Sequence, residues 1–259
     1  FFYPPTNHKF SAPSDELPPL IVVSHGGPTG SSATTLNLDF QFWTSRGFAL
    51  LDVNYRGSTG YGRGYREDLK RQWGLVDVDD CEFGANYLVE QGYADRKRLV
   101  IRGASAGGYT ALMALTFRDT FAVGASHYGV TDLEALFQKT HKFESRYLEH
   151  LIGSYPNERN IYLERSPVHA VDRLSRPVIF FQGLDDPVVP PDQARCMVEI
   201  LQKKGLTVAS LEFSDEQHGF RKATTIRHVM EAELYFYACI LGLNVDRKIA
   251  PVKIKNLKN

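Results

Sequence analysis

The sequence predicts an α/β fold in which a mostly parallel central sheet carries helices on both faces. Short apolar runs rich in β-branched residues alternate with helical patterns along most of the chain, which is typical of repeated strand and helix units. The apolar runs are continuous rather than alternating in polarity, which indicates strands buried on both faces. The length of 259 residues lies within the range of one α/β domain, so we expect residues 1–259 to form a single domain.

Six apolar runs predict the strands of this sheet. In chain order they read LIVVSH, FALLDVNY, RLVIRG, AVGASHY, PVIFFQG and VASLEF. The two ends of the chain lack such patterns: residues 1–19 are expected to form an N-terminal arm, loosely packed from Pro4 to Pro19, and residues 246–259 a loose C-terminal arm.

Helical patterns lie between the predicted strands. Apolar residues at helical spacing predict a helix within residues 77–91, and the segment GGYTALMAL predicts another directly after RLVIRG. Residues 192–205 end in a lysine pair before glycine, which is a C-terminal helix signal. The last long helix is expected within residues 225–241.

Composition excludes several classes of partner. Thirty basic residues balance thirty acidic ones, so no net field favours nucleic acid or an anionic membrane. The cysteines Cys81, Cys196 and Cys239 lie far apart without metal-ligand spacing, which predicts buried free thiols and no metal site. No apolar run is long enough to span a membrane. The cysteine usage gives no sign of an oxidising compartment, so a cytoplasmic location is expected.

The stretch IRGASAGGYT contains the clearest functional motif. Residues 103–107 fit G-x-S-x-G and lie between a predicted strand and a predicted helix, the context that a nucleophile elbow requires. Such an elbow strains the backbone at Ser105 and brings strand and helix into contact, so Gly103, Gly107 and Gly108 have to be small. Ser105 is therefore a candidate nucleophile, and a serine that merely occupies a tight turn is the alternative.

A serine nucleophile needs a base and a carboxylate, expected later in the chain in the order carboxylate, then histidine. Asp185 and Asp186 follow PVIFFQG, and His218 follows VASLEF. Among the eight histidines, His218 alone combines a position after a strand with this chain order. The residues themselves leave Asp185 and Asp186 as alternatives.

The first predicted strand ends in SHGGPTG, which predicts an oxyanion-binding turn. Gly26 and Gly27 allow a sharp turn that can aim an amide at an acyl oxygen, while Pro28 rigidifies the turn. The second donor is expected to be the backbone N–H of Ala106, the residue after the candidate nucleophile. The glycine-rich stretch NYRGSTGYGRGY fits no nucleotide-binding pattern, so no cofactor is expected.

Five ordered motifs resemble the catalytic domain of the prolyl oligopeptidase family of serine peptidases, in its acylaminoacyl-peptidase and dipeptidyl-aminopeptidase-like branch. They are HGGPTG, NYRGSTGYGRGY, RGASAGGYTAL, FQGLDDPVVPP and EQHGF. The resemblance implies an α/β-hydrolase fold, peptide or acyl-amino acid substrates and an acyl-enzyme. It also assigns Asp186 as the triad carboxylate, with Gln182 standing where the family usually has histidine.

The resemblance implies further site residues and partners. It favours the backbone N–H of Gly27 over His25 as the oxyanion donor. It points to an apolar acyl pocket formed with Ala106, Val130, Phe143 and Val189. Family members carry an upstream β-propeller, which these 259 residues do not contain. A carboxylesterase on the same triad and a non-catalytic interaction domain are the alternative functions, and a homo-oligomer is compatible with the sequence.

Overall fold

A computed structural model describes residues 1–139 and 146–257, and within these residues seven strands form one sheet. The strand order is β1-β3-β2-β4-β5-β6-β7, with β1 antiparallel to β3 and every other pair parallel. The strands are β1 (Phe2–Tyr3), β2 (Leu20–Ser24), β3 (Ala49–Val53), β4 (Leu99–Ala104), β5 (Val123–His127), β6 (Val178–Gly183) and β7 (Val208–Phe213). The mostly parallel sheet and its six predicted strands are confirmed.

Helices connect the parallel strands. Their ends carry ordinary signals, since Pro191 opens one helix and Gly242 closes another with a left-handed φ of 67°. The helices are α1 (Leu38–Thr44), α2 (Gly62–Glu67), α3 (Val76–Glu90), α4 (Ala106–Phe117), α5 (Leu133–Lys139), α6 (Tyr147–Leu151), α7 (Arg159–Glu164), α8 (Pro191–Lys203) and α9 (Ala223–Leu241).

The sheet is covered on both faces, as the sequence predicts. Successive residues of β2 contribute to opposite hydrophobic clusters, because side chains alternate along a strand. Leu20 and Val22 pack in the cluster that includes α3, α4 and α8, whereas Ile21 packs in the cluster that includes α1 and α9. The edge strand β7 departs from the prediction, because Ser210 and Glu212 are exposed on one face and Leu211 and Phe213 are only partly buried on the other.

Residues at both ends of the chain contact the sheet. Phe2 and Tyr3 pair with β3, a strand too short to leave a periodic pattern. At the other end, Lys255 forms an isolated bridge with Val208 of β7, and Ile254 packs against the core. The expectation of loose packing is therefore wrong for Ile254 and Lys255 within residues 246–259, whereas Phe2 and Tyr3 precede the segment from Pro4 to Pro19 that is predicted to be loose.

All three cysteines are free thiols, as the sequence predicts, but the predicted burial holds for one of them. Cys81 is free and buried in α3, but Cys196 is exposed and Cys239 is half-buried. Helix periodicity explains the difference, because the outward face of α8 carries Cys196 while its inward face carries residues such as Met197. No helix in residues 1–139 and 146–257 is both long and apolar enough to cross a membrane.

Candidate active site

The turn between β4 and α4 has the geometry of a nucleophile elbow. Ser105 adopts φ 57° and ψ −119°, a backbone conformation that residues other than glycine rarely adopt. Its amide donates to the carbonyl oxygen of His127 at 2.9 Å. A methyl group on Gly103 would lie 2.3 Å from the backbone of Gly107, and one on Gly107 would lie 2.0 Å from the carbonyl oxygen of Ser24. Strand and helix therefore touch here, as the small residues of the motif predict.

Three predicted site residues meet at the carboxyl edge of the sheet. His218 Nε2 lies 2.8 Å from Ser105 Oγ, and His218 Nδ1 lies 2.8 Å from Asp186 Oδ2. Because an ionised carboxylate only accepts, Nδ1 carries the proton and Nε2 is left to accept from the serine hydroxyl. The Asp186 side chain is fully buried, whereas one fifth of the His218 side chain is exposed. His218 is therefore placed to accept the proton of the Ser105 hydroxyl, and it is partly accessible to solvent.

Neutral donors hold the carboxylate of Asp186. Its Oδ1 accepts from the amides of Val188 and Val189, each at 2.9 Å, and its Oδ2 lies 3.3 Å from Nε2 of Gln182. Asp185 is exposed, and its amide donates to the carbonyl oxygen of Glu216. The structure thus brings Asp186, and not Asp185, to His218.

Two supporting residues of the His218 loop were not predicted. The Glu216 carboxylate is buried and accepts from the amides of Arg221 and Lys222, which closes the loop around His218. Burial alone would raise the pKa of Glu216, but these amides and the Thr225 hydroxyl lower it overall. Tyr128 places its ring edge-on to His218, with 5.0 Å between centroids. The sequence motif EQHGF contains Glu216 but does not indicate that its side chain is buried.

The predicted oxyanion turn lies beside the elbow. A methyl group on Gly26 would lie 3.6 Å from Cβ of Ser105. Gly27 has φ 127° and precedes a cis bond to Pro28. Ala106 is the first residue of α4, where backbone N–H groups have no intrahelical acceptor. Both predicted donors thus belong to backbone that flanks Ser105.

The predicted pocket residues are placed only in part. Ala106, Val130 and Val189 are buried and belong to the same hydrophobic cluster. Phe143 lies outside the described residues. In residues 1–139 and 146–257 no group of three or more His, Cys, Asp or Glu side chains is arranged to hold a metal ion.

The chain is similar in sequence and structure to known peptidases. A dipeptidyl aminopeptidase BIII of Pseudoxanthomonas mexicana is 31% identical over 81% of this chain, which covers 31% of that protein. The structure of a puromycin-hydrolyzing peptidase of Mycobacterium tuberculosis is 50% identical, with a TM-score of 0.95 over 98% of this chain and 38% of that one. An acylaminoacyl peptidase in complex with Z-Gly-Gly-Phe-chloromethyl ketone is 28% identical, with a TM-score of 0.79 over 93% of this chain and 38% of that one.

The chain therefore spans about a third of the length of the relatives it matches. Its mostly parallel sheet and its elbow are those of the α/β-hydrolase fold, as in these structural relatives. The model of the prolyl oligopeptidase family matches residues 34–244, most of the chain, and this chain belongs to that family.

Proposed function

We propose that this chain is the catalytic domain of a serine peptidase that hydrolyses short peptides or acylated aminoacyl substrates. The observation that carries the proposal is the pair of 2.8 Å contacts through which His218 joins Ser105 to Asp186. These distances are those of a nucleophile, its general base and the carboxylate that orients the base.

In the first half-reaction Ser105 Oγ attacks the carbonyl carbon of the substrate while His218 Nε2 takes the hydroxyl proton. Negative charge develops on the carbonyl oxygen, and we assign the backbone N–H groups of Gly27 and Ala106 to stabilise it. His218 then gives its proton to the leaving nitrogen as the carbon–nitrogen bond breaks. Asp186 stays ionised and stabilises the imidazolium throughout.

The second half-reaction reverses the roles of the same groups. Water attacks the acyl carbon, His218 accepts a water proton, and the proton returns to Ser105 Oγ as the ester bond breaks. The products are a carboxylic acid and the regenerated hydroxyl.

We further propose that the acyl pocket favours an apolar residue on the acyl side of the scissile bond. Ala106, Val130 and Val189 offer apolar side chains near the elbow, and Phe143 is assigned to the same pocket by the family resemblance. The ligand bound to the similar acylaminoacyl peptidase, Z-Gly-Gly-Phe-chloromethyl ketone, presents phenylalanine next to its reactive group. Hydrolysis of anilides with phenylalanine at this position should therefore exceed that of matched lysine anilides.

A fluorophosphonate probe tests the nucleophile directly. The wild-type chain should be labelled, Ser105→Ala should not, and Ser154→Ala, which removes an exposed serine, should be labelled like wild type. An adduct that persists in Ser105→Ala contradicts the proposal. Aminoacyl anilides and puromycin then test for amide hydrolysis, whereas turnover of p-nitrophenyl esters alone would favour the carboxylesterase alternative.

The proposal extends to a neighbouring domain and to the location of the protein in the cell. The relatives are about three times longer than this chain, which supports a role beside a further domain such as the β-propeller of the family. We place the protein in the cytoplasm on its cysteine usage alone. Size-exclusion chromatography of the native protein and fractionation of its cells test these two points.

A further inference from the structure

The glycine-rich stretch after β3 packs against the oxyanion loop, which we define as residues 25–30. The ring of His25 lies between the two segments: its Nδ1 is 2.8 Å from the carbonyl oxygen of Gly26, and its Nε2 is 2.7 Å from Ser58 Oγ. The same ring stacks on Tyr55 with 4.2 Å between centroids and an interplanar angle of 15°. Both ring nitrogens of His25 are therefore engaged by protein atoms.

The acceptors around His25 determine where its proton lies. A carbonyl oxygen only accepts, so Nδ1 is the protonated nitrogen and donates to Gly26. Burial lowers the pKa of His25, against smaller opposing effects of the Gly26 hydrogen bond and of Asp52. Ser58 Oγ lies 2.7 Å from both Nε2 of this neutral ring and the carbonyl oxygen of Tyr55, so its single hydroxyl proton serves one of these two acceptors at a time.

The carbonyl that His25 binds belongs to the peptide unit that carries the Gly27 N–H. This unit is planar and trans, so its C=O and N–H groups point in opposite directions, and holding one sets the direction of the other. Gly27 itself has no side chain to restrict its backbone, and its φ of 127° is one of many that glycine can adopt. A hydrogen bond at Gly26 therefore limits how the Gly27 amide can rotate.

Further hydrogen bonds hold the backbone on both sides of the Gly26–Gly27 peptide. The buried hydroxyl of Tyr55 lies 2.9 Å from the carbonyl oxygen of His25 and 3.0 Å from that of Pro28. The amide of Thr59 also donates to the carbonyl oxygen of Gly30 at 2.9 Å. The ends of the oxyanion loop are thus tied to residues 55–59, while the peptide between Gly26 and Gly27 is held through the imidazole.

We propose that His25, held by Ser58, is a positioning residue that aims the Gly27 amide at the developing oxyanion. The proposal rests on the proposed function and explains the otherwise unassigned NYRGSTGYGRGY motif. His25 does not touch the reacting atoms; it acts through the Gly26–Gly27 peptide. Its loss should weaken binding of the tetrahedral species and leave binding of the intact substrate unchanged.

Four variants test this role: His25→Ala, His25→Asn, His25→Gln and Ser58→Ala. Asparagine can place its amide nitrogen near the position of Nδ1, whereas glutamine places its amide near that of Nε2. We measure kcat and KM on an aminoacyl anilide. We also measure the affinity of a peptide aldehyde, which forms a tetrahedral adduct with Ser105, and of the matching peptide alcohol, which forms none.

For His25→Ala we expect kcat and aldehyde affinity to fall together by about 10²-fold, with KM and alcohol affinity changed by less than about threefold. His25→Asn should recover most of the loss, His25→Gln should recover little, and Ser58→Ala should lose about tenfold. Equal losses for aldehyde and alcohol, equal recovery by glutamine, or a His25→Ala variant with wild-type kcat would each overturn the proposal. Inactive wild-type protein without a Ser105 adduct would instead refute the proposed function.

Discussion

Within residues 1–139 and 146–257, two histidines pair with a fully buried carboxylate, and one of these two histidines also contacts a serine. His218 Nδ1 lies 2.8 Å from Asp186, and its Nε2 reaches Ser105. His127 is the last residue of β5, and its Nε2 lies 3.1 Å from the carboxylate of Glu233 in α9. One fifth of the His218 side chain is exposed, but only 7% of the His127 side chain is. Access and a nucleophile, rather than the pair itself, distinguish the candidate site.

The two carboxylates also have different donors. Glu233 is fully buried, with Arg102 Nε 3.1 Å away and the Tyr237 hydroxyl 2.6 Å away. Burial alone would raise the pKa of Glu233, but Arg102 and His127 lower it overall. Asp186 instead receives neutral donors besides His218. Glu233 thus faces a guanidinium that is always charged. In the proposed mechanism, by contrast, the histidine beside Asp186 is protonated during the reaction.

The largest expected effect separates the two histidines. His218→Ala should lower kcat by about 10⁶-fold, because removing the base of such a triad abolishes proton transfer from the nucleophile. His127→Ala should reduce kcat by less than about tenfold and lower stability, because it leaves a cavity and removes a partner of Glu233. Anilide hydrolysis and thermal unfolding of both variants provide the measurement. A comparable loss of kcat in both would show that the pairs are not functionally distinct.

The second effect concerns the carboxylates of residues 185 and 186. Asp186→Asn should lower kcat by about 10⁴-fold, because an amide can favour the wrong tautomer of His218. Asp185→Asn is the matched control at an exposed neighbour and should change kcat by less than about threefold. Steady-state kinetics on one anilide measures both. The opposite order of losses would transfer the triad role to Asp185.

Sequence patterns predicted the chain positions of the candidate active-site pair, Asp186 and His218, but not those of the pair formed by Glu233 and His127. Ser105, Asp186 and His218 could be identified because a fold-specific chain order and family motifs constrain them. The periodicity of helix α9 indicates which of its residues are buried. It does not indicate that Arg102, far away in the sequence, forms an ion pair with Glu233. The contacts of Gln182 and Glu216 were missed for the same reason, since they depend on how two loops approach each other.

The third effect tests whether Glu233 has a structural role. Glu233→Gln should lower the free energy of unfolding by roughly 3 kcal/mol at pH 7, because Arg102 loses a buried anionic partner. Glu231→Gln is the control on the same helix, where an exposed pair with Arg227 should contribute less than about 0.5 kcal/mol. Urea unfolding of the three proteins measures these differences.

The pH dependence of the same variants has a definite sign. The pKa of Glu233 in the folded chain is below its ordinary value of 4.5, so the unfolded chain binds the proton more readily. The stabilising contribution of the anion is therefore present above that ordinary value and is lost as the pH falls through the lower folded pKa. The difference in the free energy of unfolding between wild type and Glu233→Gln should become smaller on acidification. An increase in this difference would contradict this account.

The smallest expected effect concerns the neutral donors of Asp186. Gln182 Nε2 has three acceptors, the carbonyl oxygens of Gly183 and Val189 at 3.1 Å and Asp186 Oδ2 at 3.3 Å. Two amide hydrogens serve these three oxygens, so the contact with Asp186 is the weakest of them. Gln182→Leu should lower kcat/KM by roughly tenfold, the value of one modest hydrogen bond in the transition state.

Gln182→His is the matched variant, because histidine can also donate from a ring nitrogen. It should retain kcat/KM within about threefold of wild type at neutral pH, where one nitrogen of a neutral ring still donates. Parallel kinetics of the two variants gives the comparison. If leucine and histidine lose activity equally, the amide acts on the shape of the loop and not on the carboxylate. Retention by histidine alone would show that Asp186 needs a neutral donor here, whereas Glu233 uses the guanidinium of Arg102.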